Sequence, residues 1–292
     1  MYKEIEANKA KSWLILILFP ILVIGLGYFF SRFYPIIFPI AVVLAVSQAW
    51  VGYFFSDKIA LATSGARPAD GPEFKELNRI VENIAITSGQ PMPKVYIIDD
   101  SAPNAFATGR DPKHAAIAVT TGLLTKLEKV ELEGVIAHEM SHVRNYDIKL
   151  ASIMVVMVGI VALLGDLFLR FSFWGKDDSD NKAGVVFMVI GIGLALLAPF
   201  FATLIQLAMS RKREYLADAS GALLTRYPEG LARALEKISA DPEPLEVANK
   251  ATAHLYIANP LKDHKGIRGW FSGLFDTHPP AEERIKKLRS MA

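Results

Sequence analysis

Six consecutive residues carry the types and the spacing that metal-assisted hydrolysis needs: Ala137-His138-Glu139-Met140-Ser141-His142, an H-E-x-x-H pattern. On an α-helix, positions i and i+4 lie one above the other on the same face, so His138 and His142 can aim two imidazoles at one ion. Glu139 sits roughly 100° further round the helix, where its carboxylate reaches a water on that ion without taking a ligand position. Zinc suits the set, because it accepts neutral imidazole nitrogen and a catalytic site keeps one position open for water. The ion makes that water acidic and the glutamate accepts its proton. Two surface histidines on an amphipathic helix would produce the same string, so the reading needs a helix and a third ligand.

The chain has no cysteine and only six histidines, so the third ligand must be a histidine or a carboxylate. If the motif helix continues, Asp147 lies nine positions past His138, about 180° around, and points away. Asn145 falls on the right face but is a poor zinc ligand. The partner is therefore expected from another helix. Glu214 and Asp218, in Arg213-Glu214-Tyr215-Leu216-Ala217-Asp218, share a face at i, i+4. Glu214 is taken as third ligand, with Asp218 holding a ligating imidazole through its other nitrogen; the reverse order of these two acids is the alternative.

The elements that must position these groups lie largely in or at a membrane. The chain is 52% hydrophobic and only 21% charged, with mean hydropathy +0.28, too apolar for an ordinary soluble protein. A net charge of +2 gives no footing for nucleic acid. Residues 13–30 and 33–55 are free of charge, long enough to span, and separated by a short turn at Arg32. A cleaved signal peptide is the competing reading of the first run, but a second apolar run follows almost at once. Residues 150–165 form a third apolar run, extended past Asp166, and residues 183–210 a fourth that ends in Arg211-Lys212-Arg213. Four spans with lysines at 3, 9 and 11 and the basic triplet at 211–213 orient both termini and the motif toward the cytoplasm. The expected fold is mainly α: four transmembrane helices plus a cytoplasmic α+β zincin-like domain with a small sheet. Its segments are 1–55, a transmembrane hairpin; 56–149, the half with the motif helix; 150–210, a second hairpin; and 211–292, the half with the third ligand. Antiparallel third and fourth spans would bring His138, His142 and Glu214 to one membrane surface.

Within 56–149, apolar residues at 74, 77, 80, 81 and 84 predict a helix, residues 95–98 a strand, and residues 104–108 with 115–120 a β-hairpin. The segment Asn104-Ala105-Phe106-Ala107 is either plain structural sheet or an edge strand that pairs with an extended substrate. Helix formers lead into the zinc motif, with Gly134 out of place among them.

The ordered set resembles the HtpX family of bacterial membrane zinc metalloproteases, themselves distantly related to the prenyl-protein proteases. The matching pieces are Asn104-Ala105-Phe106-Ala107-Thr108-Gly109, residues 131–147 around the motif, Glu214-Tyr215-Leu216-Ala217-Asp218, and His278-Pro279-Pro280 with Arg284-Ile285. The resemblance implies a multipass inner-membrane endopeptidase holding one zinc per chain, with Glu214 as ligand. It also implies protein substrates and a part in quality control of misfolded membrane proteins. In that family the His-Pro-Pro element lies near the zinc. His278 is then either a donor to the oxyanion of the tetrahedral intermediate or a turn histidine packing the last helix. His114, His254 and His264 read as structural or solvated. A prenyl-protein-type protease uses the same chemistry on lipidated tails. A metal-binding transporter or scaffold is the rival from another class, disfavoured because charges cluster at the span ends.

Overall fold

Two apolar helices open the chain and dock onto a body in which every layer bears on the motif. The computed structural model describes residues 2–32, 35–157, 211–247, 252–260 and 279–291, with a few isolated positions between them. Helix α1 (Tyr2–Ser31) and helix α2 (Ile37–Phe54) pack against each other. Each contains a stretch long and apolar enough to cross a membrane, Ile5–Phe29 and Ile37–Phe54. Trp13, Leu14, Ile17, Ile21, Val43 and Val46 stand exposed on their outer faces, as lipid-facing side chains would. The inner face of α1 is different. Leu16 and Phe19 bury against Ile153 and Met157 of the helix that begins at residue 147 and is described to residue 157, here α7. The rest of the third apolar run, the polar connection after it and the fourth run lie outside the described residues.

Helix α3 (Ser56–Thr63) leads to a four-stranded sheet of order β1-β2-β4-β3. Its strands are β1 (Arg67–Pro68), β2 (Lys94–Ile98), β3 (Ala105–Thr108) and β4 (Ala116–Thr120). The expected hairpin is present, with β3 antiparallel to β4 from Ala105 opposite Val119 to Thr108 opposite Ala116. Two pairings were not expected: β4 runs parallel to β2, and the two-residue β1 adds antiparallel at the far side. The crossover between β2 and β3–β4 makes the parallel pairing possible, and burial on both faces explains the unbroken apolar run of β4. Val95, Ile97, Ala105, Ala107, Ile117 and Val119 face one core, while Ile98, Phe106, Ala116 and Ala118 face another. This is the period-two alternation of a sheet covered on both sides.

The first core holds the site. It joins α4 (Lys75–Ser88), the motif helix α6 (Lys129–Arg144) and residues from beyond position 210: Ala222 of α8 (Arg211–Thr225), Leu231 and Leu235 of α9 (Pro228–Ala240), and Leu288 of α10 (Ala281–Arg289). A short helix, α5 (Thr121–Lys126), links β4 to α6. The described segments before residue 158 and after residue 210 therefore share one interior. The start of α6 is fixed by a capping box between Glu128 and Glu131. Glu131 is fully buried, and its carboxylate accepts from Lys237 Nζ at 2.6 Å and Arg233 Nε at 3.1 Å on α9. Gly134 now has its reason: a Cβ there would meet the Leu231 backbone nitrogen at 2.7 Å, so the glycine lets α9 cross α6.

One expectation fails. The motif helix does not continue through Asp147. It ends at Arg144, Asn145 follows it, and Tyr146 adopts φ 60° before α7 starts. That break turns Asp147 back toward the motif.

Candidate metal centre

His138 and His142 project from one face of α6, and Glu214 enters from the first turn of α8. His138 Nε2 lies 3.1 Å from His142 Nε2. Glu214 Oε2 is 3.8 Å from His138 Nε2, and its Oε1 is 3.5 Å from His142 Nε2. Donors at zinc bond lengths of about 2.0–2.1 Å on a tetrahedron stand roughly 3.3 Å apart, and these three spacings bracket that figure. The residues present therefore fit a divalent ion with nitrogen and oxygen ligands. They are the one such group found among the described residues.

Each imidazole has its far nitrogen engaged by a carboxylate. His138 Nδ1 is 2.9 Å from Asp218 Oδ1, and His142 Nδ1 is 3.0 Å from Asp147 Oδ2. A proton held at Nδ1 leaves the Nε2 lone pair for an ion and fixes the plane of the ring. Asp218 is held in turn by Arg284 of α10, through Nε to Oδ2 at 2.9 Å and Nη2 to Oδ1 at 2.7 Å. Arg284 Nη1 donates to the Ile257 carbonyl at 2.9 Å. This buried fork brings the C-terminal helix to within one residue of the candidate ligand His138.

The buried charges pull the titrations apart. Burial lowers His138 to about 4, the Arg284 guanidinium adding to it against the Asp218 bond. For His142 burial also opposes the charge, but the bond to Asp147 and the Glu214 carboxylate outweigh it, raising the ring to about 9. Burial pushes Glu139 up to about 8, with Glu214 adding and the His142 ring and the Ala107 N–H opposing. Asp218 is held below the usual carboxylate range: burial raises it, but Arg284 and His138 more than compensate.

The cleft over these groups is lined by Ala107, Glu139, Asp147, Ile148, Tyr256 and Ile257. Strand β3 is the sheet edge beside it. The backbone amide of Ala107 acts on the Glu139 carboxylate and favours its charged form. At Ala105 the carbonyl accepts from the Ile257 N–H at 2.9 Å, so the chain's own residues 255–257 already lie along that stretch. Asn104 donates its Nδ2 to the Ala258 carbonyl at 3.1 Å, and Phe106 turns to the opposite core against Tyr256, ring centroids 5.1 Å apart.

His278 lies outside the described residues, as does His264. His254 is buried with Nε2 3.0 Å from the Ala151 carbonyl, and His114 is paired with Asp111, both structural partners as expected. Sequence reasoning missed Asp147, because a continuous helix was assumed; the Asn145-Tyr146 pair after α6 was the available signal of a stop. It also gave Arg284 no task, and nothing in the string pointed to residues 255–257.

A model of peptidase family M48 matches residues 72–292. A protease HtpX homologue of Tropheryma whipplei is 48% identical over 292 residues, covering 100% of this chain and 98% of the relative. Homologues of the same description from Caldanaerobacter subterraneus and Dictyoglomus thermophilum are 45% and 47% identical, covering 100% and 99% of this chain and 98% and 94% of theirs. The crystal structure of S. mikatae Ste24p is similar in fold, with TM-score 0.50 at 21% identity over 99% of this chain and 67% of that one. Matched along most of its length by the family model and over its full length by relatives at 45–48% identity, the chain belongs to peptidase family M48, among the HtpX proteases.

Proposed function

We propose that this membrane-bound metalloprotease is a zinc endopeptidase, with His138, His142 and Glu214 as ligands and Glu139 as general base. The observation that carries the reading is the spacing of 3.1, 3.5 and 3.8 Å among the two imidazole Nε2 atoms and the two Glu214 oxygens, drawn from two helices. A zinc ion bound there supplies Lewis acidity to the scissile carbonyl and acidity to the attacking water. The chain's own residues do the rest. Glu139, its basicity raised by burial toward the working pH, takes the water's proton and passes it to the leaving amine. Asp147 and Asp218 hold the two rings in the ligating tautomer. The substrate backbone extends along the outer edge of β3 next to Ala107, beyond the Ala105 carbonyl that Ile257 already pairs.

All four apolar runs cross the inner membrane, with both termini and the site in the cytoplasm, and the substrates are misfolded membrane proteins. The lysines at 3, 9 and 11, near the start of α1, and the triplet at 211–213 support that orientation. Helices α1 and α2 support the first hairpin. The test is cleavage of casein by detergent-purified protein. Cleavage should stop with a chelator and return with added zinc; cleavage that persists at full rate in chelator would refute the proposal.

A further inference from the structure

The reaction chemistry makes no use of a polar cluster buried between α1 and the ends of the two ligand-bearing helices. Asn8, in the second turn of α1, is 2% exposed. Its Nδ2 donates to Asp147 Oδ1 at 2.6 Å and to the Asn145 carbonyl at 2.9 Å. Its Oδ1 accepts from Arg213 Nη1 at 3.0 Å, and that same nitrogen reaches Asp147 Oδ1 at 3.1 Å. The second oxygen of Asp147 is the one on His142 Nδ1. Asn145 closes α6 and Arg213 immediately precedes Glu214. Every partner of the Asn8 amide therefore flanks a proposed ligand.

A buried amide is costly unless both its donor and its acceptor are used. An apolar side chain would anchor α1 against α7, as Leu16 and Phe19 do about two and three turns further on. The amide instead fixes one oxygen of Asp147, which sets the direction in which the other meets the imidazole.

We propose that Asn8 is a positioning residue for the metal centre: it orients the Asp147 carboxylate that orients His142, so the N-terminal membrane helix is a working part of the site. The proposal rests on the zinc reading above. Partners that hold a ligating histidine through its far nitrogen are worth about 10–100-fold in metal affinity. Asn8 acts one bond further out, so its loss falls at the low end, about tenfold.

The test uses the full chain in detergent, stripped of metal. Zinc affinity is read by chelator competition, and site geometry by the visible spectrum of the cobalt(II)-substituted protein. Wild type must bind one zinc, and Glu214→Ala must lose it; failure there would overturn the zinc reading itself. Given that, Asn8→Ala should weaken zinc about tenfold and shift the cobalt bands. Asn8→Asp, which sets a second carboxylate against Asp147, should weaken it further. Asn8→Ala combined with Asp147→Ala should bind no more weakly than Asp147→Ala alone, because Asn8 acts through Asp147. Leu16→Ala loosens α1 without touching the cluster and should leave the cobalt spectrum unchanged. Should Asn8→Ala not fold, Asn8→Ser keeps a donor and carries the same measurement with a smaller loss. Wild-type zinc affinity and spectrum in the Asn8 variants, additive losses in the double variant, or an equal spectral change in Leu16→Ala would each overturn the proposal.

Discussion

Zinc binding should be strongly pH-dependent, and the structure gives the size of the effect. In the metal-free protein His142 is pushed up to about 9 by Asp147 and Glu214 against its burial, and so carries a proton at neutral pH. A ligating imidazole must be neutral, so the ion has to expel that proton. At pH 7 the expulsion spans about two pH units, which costs roughly 2.7 kcal/mol. His138, lowered to about 4, is already neutral and adds no slope. The sign follows directly. Affinity is highest above about pH 9 and falls as pH drops, by about tenfold per unit for the single His142 proton. Between pH 6 and 8 the change is on the order of a hundredfold, and steeper if Glu139, raised to about 8, also gives up its proton beside the ion. Chelator competition at several pH values, corrected for the chelator's own protonation, measures it. Calorimetry in two buffers of different ionisation enthalpy counts the protons released. An affinity that changes by less than about threefold over that range, with no proton released, would refute the reasoning.

Glu139→Gln should keep one zinc per chain and lower kcat on casein by about 10²–10⁴-fold, since an amide cannot accept the proton; cleavage at the wild-type rate excludes Glu139 as base. Glu214→Ala should lose zinc on dialysis, and unchanged stoichiometry would remove Glu214 from the ligand set. Arg284→Met strands the buried Asp218 carboxylate and should destabilise the metal-free protein by about 3–5 kcal/mol, seen as a lower Tm in detergent. Pairing that change with Asp218→Asn should recover part of the loss, and a single variant that melts with wild type would show that the fork carries no stability.

The local patterns were legible because they depend on neighbours in the sequence. The i, i+4 histidines, the helix at 75–88 and the β3–β4 hairpin follow from periodicity and turn chemistry alone. Glu214 is legible as a candidate because its helix can return a carboxylate to the same surface. The parallel β2–β4 pairing was not legible, because it joins strands with no shared turn. Asp147 was lost to one assumption, an unbroken helix, that a single residue at φ 60° overturns. Asn8, Arg284 and Ile257 come from three distant parts of the chain, and their convergence is a property of tertiary packing that no spacing rule encodes.

Gly221 faces the first turn of the zinc motif across the α6–α8 interface, and a Cβ there would sit 3.0 Å from the His138 backbone nitrogen. Glu214 lies seven residues earlier on the same helix, about 10 Å along its axis. Ligand bonds tolerate only about 0.2 Å, so a methyl group inserted at position 221 would act as a shim, prying apart the jaws that set the grip. The distance between the histidine pair and the Glu214 carboxylate thus depends on a position that contributes no atom to either.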